Sequence, residues 1–324
     1  MTDLLNHKSL LRMNKNRSIR FKVSVLIACC NLLFLSCKRD TNTIGPSICA
    51  VSDDFKVITS LSVNSTSPDF SLASLLFTAD FSEVAPWKIR IKGTVSGAVK
   101  ILQGNGKSIS VNWDGGTDTV YFFRNELCET YLEIPCRDPF AGPSFTIQGE
   151  KNYSGILVSD FEGNGLVTSW TATSQVTLAS SGIDSAVYPP QGKKYFSMKG
   201  TDDNNDFGVG LMLHNSVSFG LPANPTNVYL NAYIYGIPNT RVDFRVLELD
   251  GDQYSSVQFV TWKGWKLVSI KYADFELSSG TGVNGKNPDL CSRTRFLLKS
   301  SPSGNYVESY IDYIVFTIGT PFTP

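Results

Sequence analysis

Residues 87 to 93 read WKIRIKG, and within that run Trp87, Ile89 and Ile91 alternate with Lys88, Arg90 and Lys92. A two-residue period sends successive side chains to opposite faces of an extended chain, so the run predicts a β-strand with one dry and one wet face. Short runs of the same kind, KSISVNW (107–113) and DTVYFF (118–123), follow it, separated by clusters of Gly, Asn, Asp and Ser. No stretch of ten or more residues keeps a strong helical period; SLASLLF (71–77) is a candidate short helix. Many short strands with frequent turn signals predict antiparallel sandwiches and an all-β chain.

The first forty residues break this pattern. A basic segment with Lys15, Arg17, Arg20 and Lys22 precedes the apolar stretch VSVLIACCNLLFL, Val23 to Leu35. That stretch falls short of the about 20 residues a helix needs to cross a bilayer. A basic head, a short apolar middle and a small-residue end read as a secretory signal over residues 1–36, with Met13 a candidate start. Its end, Leu35-Ser36-Cys37, resembles the lipobox of bacterial lipoproteins, which implies that the Cys37 thiol carries a lipid and becomes the first residue after cleavage. Several acyl chains, each adding about 0.8 kcal/mol per buried methylene, make a durable anchor. The expected location is the outer membrane, with the cell surface favoured over the periplasmic face. Surface lipoproteins of glycan-degrading bacteria commonly carry an acidic cluster after this cysteine, and Lys38-Arg39-Asp40 departs from it.

Charge then narrows the partners. Six of the 29 basic and one of the 29 acidic residues lie in the signal, which leaves 23 and 28. A mildly acidic chain argues against a nucleic-acid partner. Beyond Cys37 stand Cys49, Cys128, Cys136 and Cys291. Export permits disulfides, and their spacing matches no zinc pattern. Cys128 with Cys136, or Cys49 with either, is open, and Cys291 is then left over.

Residues 37–48, polar with a Gly-Pro pair, are expected to be a tether. The pattern WKIRIKGTVSGAVKILQGNGKSISVNWDGG resembles immunoglobulin-like sandwiches, including the type in flagellar hook-cap proteins, and implies such a domain over 49–150. In those modules Trp113-Asp114-Gly115 is a packing and turn device. From residue 151 the character changes. ILVSDFEGNGLVTSW near the start, WKGWKLVSIKYADF (262–275) and YIDYIVFTIG near the end resemble jelly-roll carbohydrate-binding modules of the galactose-binding-like superfamily, which implies a β-jelly roll over 151–324. Fold alone does not fix function.

Three constellations could carry chemistry. Asp160, Glu162 and Asp312 are placed side by side by the first and last strands of that family, where similar modules hold a structural Ca2+; calcium takes six to eight oxygen ligands. Asp202, Asn204 and Asp206 imitate the start of an EF-hand loop, but Phe207 and Leu213 stand where its glycine and glutamate belong, so a solvated loop is expected. The strand VYLNAYIYG (228–236) sets Tyr229, Asn231, Tyr233 and Tyr235 on one face and Leu230, Ala232 and Ile234 on the other. The aliphatic face is expected to look inward and the phenol face to offer a platform for a polysaccharide or oligosaccharide. A ring that removes roughly 60 Å² of apolar surface from water contributes about 1.5 kcal/mol. Arg245 or Glu248, depending on register, and Trp262 or Trp265 are expected to border this platform. The alternative is that the tyrosines pack beneath a covering loop.

Enzymatic signals are sparse. His214 is the only histidine after the signal, and no nucleophile elbow, P-loop or metal-binding helix accompanies it. It is expected to be structural. Asp243 with Glu248 is one carboxylate pair of the sort glycoside cleavage needs. The expected function is a non-catalytic, membrane-anchored glycan-binding protein, resembling the surface lipoproteins that serve polysaccharide uptake, with an outer-membrane transporter as a possible partner. The rival readings are a structural or adhesive envelope protein, and after it a jelly-roll hydrolase or lyase.

Overall fold

A computed structural model describes residues 51–174, 180–201, 209–300 and 306–324. Cys37 and the Asp202–Asp206 segment lie outside these residues. No described helix is long and apolar enough to cross a membrane. The described residues are nearly all β, built as three sheets, and residues 51–324 make one unit.

Sheet I holds β1 (Val57–Val63), β2 (Leu75–Gly93), β3 (Val99–Trp113), β4 (Leu127–Glu133), β5 (Phe140–Ala141) and β6 (Phe145–Thr146). The long β2 pairs with β1 through its first half, with β4 through its second, and with β3 along most of its length. Its odd-numbered residues Leu75, Phe77, Ala79, Phe81, Ala85, Trp87, Ile89 and Ile91 are all buried in one core, which is the alternation seen in WKIRIKG carried through the whole strand. That alternation also overrides the candidate helix at 71–77: Leu75 and Phe77 continue β2, and a turn precedes them. Gly115 turns the chain at φ +87, and a Cβ there would lie 2.7 Å from the Phe70 ring, while Trp113 Nε1 donates to Gly116 O at 2.8 Å. Trp113-Asp114-Gly115 is thus a packing and turn device.

The segment 118–123, expected as a strand, is irregular. Its adjacent rings diverge: Phe123 enters the core of sheet I and Phe122 a different cluster. Asp118 anchors the segment by accepting from Ile101 N at 2.8 Å and Lys100 Nζ at 2.6 Å.

The strands from residue 156 onward form a two-sheet sandwich. Sheet II runs in the order β15 (Gly264–Lys271), β12 (Val228–Gly236), β18 (Tyr306–Ile318), β10 (Tyr195–Thr201), β9 (Ser180–Asp184), with β7 (Ile156–Ser159) also on β18. Sheet III runs β16 (Glu276–Ser279), β14 (Gln253–Val260), β13 (Thr240–Glu248), β17 (Cys291–Ser300), β11 (Val209–His214), β8 (Trp170–Ser174). Between them lies a core that includes Leu230, Ala232 and Ile234 from β12 and Val242, Phe244 and Val246 from β13. The aliphatic face of VYLNAYIYG therefore looks inward.

Cys136 is disulfide-bonded, with φ +60, while Cys128 and Cys291 are free and buried. This removes the pairings expected of Cys128; Cys49 lies outside the described residues.

Candidate functional site

The middle of the outer face of sheet II is covered, while Tyr306 at its end is exposed. Phe122 from the first lobe meets Tyr153, Tyr233, Tyr313 and Phe322 at ring distances of 4.7, 5.7, 5.0 and 6.0 Å. Its N–H donates to Pro190 O at 3.0 Å. Arg124 caps the contact, donating from Nη2 to Pro189 O at 3.0 Å and lying 4.3 Å over the Tyr188 ring. Tyr188 in turn donates to Val95 O at 3.1 Å, tying the two lobes together a second time.

The expected sugar platform is corrected accordingly. Tyr233 and Asn231 are 0 % exposed, so neither can touch a sugar. Asn231 Nδ2 donates to Tyr229 O, Val315 O and Thr317 Oγ1, and its Oδ1 accepts from Phe322 N. With its amide groups so engaged, Asn231 holds the C-terminal residues against the sheet. Burial raises the Tyr233 phenol well above the usual tyrosine range. Tyr235 is half-buried, 4.9 Å from Tyr310 and 5.4 Å from Trp265. Tyr229 is half-buried near the Lys271 ammonium, 5.8 Å away. Trp262 packs partly on the sandwich core, with Lys266 4.7 Å over its ring. Arg245 belongs to sheet III, on the other side of the sandwich, and does not border β12.

Sheet III presents the second outer face. Its register aligns cross-strand rows of side chains: Glu276, Ser255, Arg245, Arg295, Met212 and Thr171 make the central one. On one side of it Leu247, Arg293 and His214 align. On the other are Val257, Asp243 and Leu297, and beyond these Phe259, Arg241 and Lys299. Phe259 is 61 % exposed, His214 and Val257 are exposed, and the arginines are half-buried. Asp243 Oδ2 accepts from Arg245 Nε and Nη2, both at 2.7 Å. Burial raises the Asp243 pKa and the Arg245 charge opposes that rise. Glu248, the suggested catalytic partner of Asp243, turns the opposite way: it is buried and accepts from Tyr272 OH at 2.9 Å. The two carboxylates lie on opposite faces of one sheet, which is not a geometry for cleaving a glycosidic bond between them. His214 is exposed on this face rather than packed away.

Two acidic groups could hold a cation. Asp160 closes a turn, accepting from Glu162 N and Asn164 N through Oδ1 and from Asn164 Nδ2 through Oδ2. Glu162 Oε1 accepts from the backbone N–H groups of Lys193 and Lys194. Asp312 is fully buried and accepts from Gln191 N and Tyr313 N. Burial raises its pKa well above the carboxylate range, and the charges of Glu162 and Asp160 raise it further. Gln191 Oε1 is buried without a hydrogen-bond partner. Among the described residues, however, the group whose ligand atoms gather within 4.8 Å of one another is Glu248, Asp250 and Asp252. Glu248 Oε2 is buried and unpartnered, while Asp252 Oδ1 accepts from Thr281 N and Gly282 N. Both groups offer oxygen donors only, the set that calcium takes.

No protein-family model matches the chain, and no curated protein matches it. Among solved structures, it is similar to a family 11 carbohydrate-binding module from Clostridium thermocellum in complex with a β-1,3-1,4-mixed-linked tetrasaccharide (14 % identity, TM-score 0.39, covering 52 % of this chain and 98 % of that one). It is also similar to a carbohydrate-binding module of the β-sandwich superfamily described for promiscuous specificity (10 %, 0.38, 81 % and 97 %). A third is SGBP-B from a complex xyloglucan utilization locus in Bacteroides uniformis (11 %, 0.35, 80 % and 72 %). At these TM-scores none of the three bears on what this chain binds.

Proposed function

We propose that the chain is a lipid-anchored, non-catalytic glycan-binding protein of a bacterial cell envelope, and that it binds through the outer face of sheet III. The observation that carries this reading is the asymmetry of the sandwich. The middle of one outer face is covered by the first lobe, while the other offers half-buried guanidinium and hydroxyl groups beside exposed Phe259, with the Asp243 carboxylate and Leu297 of the same face buried. Polar groups with an apolar flank suit a sugar, whose hydroxyls bond to the former and whose C–H faces pack on the latter. Asp243 and Glu248, on opposite faces, favour binding over cleavage. Cys37 as the lipidated residue, the outer membrane as the location and a transporter as neighbour belong to the same proposal and rest on the sequence. So does a structural calcium at Asp160, Glu162 and Asp312, which would offset the Glu162 and Asp160 charges that raise the Asp312 pKa.

The test is a glycan-array screen of residues 38–324, followed by affinity gels containing each hit. Ser255→Trp and Met212→Trp fill the central row of sheet III from the solvent side and should abolish retention, while Tyr229→Ala on sheet II should not. Retention that survives both tryptophans places the site elsewhere. Val257 and Phe259, exposed on one face of β14, favour a second reading in which this surface meets a protein. An array without hits would turn the assignment toward that reading.

A further inference from the structure

The hairpin between β13 and β14 reads Glu248-Leu249-Asp250-Gly251-Asp252, and Gly251 turns it at φ +98. Acidic residues at alternate positions gather three carboxylates where Glu248 stands opposite Cys291, at the end of sheet III away from Ser174, Val209 and Ser300. One oxygen from each carboxylate lies within 4.8 Å of the other two. Asp250 is exposed, whereas Glu248 and Asp252 are only 5 % and 3 % exposed. Like charges this close repel, and burying two of them strengthens the repulsion.

Hydrogen bonds from the facing loop answer part of that charge. Asp252 accepts from Thr281 N at 2.8 Å and from Gly282 N at 3.0 Å, and Asp250 Oδ2 accepts from Asn284 Nδ2 at 3.5 Å. Glu248 Oε1 accepts from Asn287 N at 2.8 Å and from Tyr272 OH at 2.9 Å. Glu248 Oε2 is left over: it is buried and has no hydrogen-bond partner. A buried carboxylate oxygen without a donor is costly. Among the described residues no lysine or arginine forms an ion pair with any of the three. Lys286, on the same loop, gives its ammonium to Ala273 O instead. A proton on Glu248 would remove one charge of the three. A divalent cation answers all of them and takes the oxygen that has no donor. The donor set is oxygen alone, with two fixed carboxylates and an exposed one beside which water can complete the shell. That suits calcium, which takes six to eight oxygens in a flexible geometry, better than magnesium, which demands a near-ideal octahedron.

We propose that Glu248, Asp250 and Asp252 hold a calcium ion that clamps the β13–β14 hairpin to the loop 281–287. Glu248 Oε2 and Asp252 supply the buried ligands, Asp250 closes the site from the solvent side, and the Asn284 amide, turned over, adds its carbonyl oxygen. The site lies on sheet III, separate from the calcium expected at Asp160, Glu162 and Asp312 beside sheet II, and it does not depend on the glycan-binding reading.

The experiment starts from Asp312→Asn in residues 38–324, stripped of metal with EDTA and dialysed, so that the other expected site lacks a ligand. Isothermal titration with CaCl2 should show one calcium bound per chain. Adding Asp250→Asn, at an exposed position that the fold tolerates, should weaken that binding at least ~10-fold, because affinity follows the number of charged ligands. Glu248→Gln should weaken it as much, and Asp250→Asn carries the test should Glu248→Gln fail to fold. Scanning calorimetry gives a second readout: calcium at about 100 times its Kd should raise the Tm of Asp312→Asn by roughly 5–10 °C and leave the Tm of the double variant with Asp250→Asn unmoved. Calcium binding abolished by Asp312→Asn alone, or indifferent to both Asp250→Asn and Glu248→Gln, would overturn the proposal. Binding seen only above ~10 mM calcium, weaker than extracellular calcium modules, would mark a bare acidic surface and overturn it too. None of these outcomes bears on sugar binding, which the array tests by itself.

Discussion

Phe122 is the largest buried apolar side chain that the first lobe brings to the contact between the two β lobes, and Phe122→Ala is the sharpest perturbation of it. The ring is 2 % exposed and sits among Tyr153, Tyr233, Tyr313 and Phe322. Truncating a buried phenylalanine costs about 3–5 kcal/mol, because the lost transfer energy is joined by the cavity left behind. The cavity here has rigid walls: three of the four neighbours stand on, or are hydrogen-bonded to, sheet II, so little collapse is available to recover it. For a unit of this size each kcal/mol lowers Tm by roughly 2–4 °C, which gives a fall of roughly 6–20 °C by scanning calorimetry. Phe123→Ala, one residue on, empties the core of sheet I instead and makes a matched control. Both should destabilise, but Phe122→Ala alone should expose the connecting residues 147–155 to limited proteolysis at a temperature where the fold persists. A Tm within about 2 °C of the parent would refute the packing argument, since a change that small is typical of surface substitutions. Equal proteolysis of the two variants would refute the claim that Phe122 joins the lobes.

Asn231→Ala strands buried carbonyl oxygens and the Phe322 N–H; leaving a buried polar group unsatisfied costs about 1–3 kcal/mol, so urea unfolding should show at least that loss. Asp312 has a folded-state pKa above its unfolded one, so the folded state binds the extra proton between the two values, and this group's contribution to stability falls as pH rises through that window. In EDTA, Asp312→Asn should therefore raise Tm at pH 7 and lose its advantage near pH 4, whereas in excess calcium it should lower Tm; a lower Tm in EDTA at pH 7 would contradict the sign. Burial pushes the Cys128 thiol far up and the Cys291 thiol up to about 12, so iodoacetamide at pH 8 should label neither in the native protein and both in guanidinium chloride. Rapid native labelling of either would contradict the burial.

Much of the fold was legible because alternation is local. WKIRIKG announced the buried parity of β2, and VYLNAYIYG announced which face of β12 looks into the sandwich, each from side-chain period alone. Where the reading failed, a long-range contact overrode the local signal. DTVYFF has strand composition, yet Phe122 and Phe123 are drawn to different clusters and the backbone cannot serve both as a paired strand. SLASLLF has helical spacing, yet the end of β2 needs Leu75 and Phe77 in its core.

The site was harder for a reason that parity makes plain. Alternation divides the residues of a strand between the core and the outside, but it does not say whether another part of the chain covers the outside. The outer rows of sheets II and III look alike in sequence: Tyr229, Asn231, Tyr233 and Tyr235 on β12, and Arg241, Asp243, Arg245 and Leu247 on β13. Both mix polar groups with groups that can pack. What separates them is the cost of burial. A phenol ring loses little when covered, because its apolar body gains from leaving water, whereas a guanidinium group loses its hydration and must be paired. A lobe that closes over one outer face will therefore settle on the aromatic one, and Phe122 with Phe322 supplies the matching rings. The aromatic row that looked most like a sugar platform was for that same reason the row best suited to an interface.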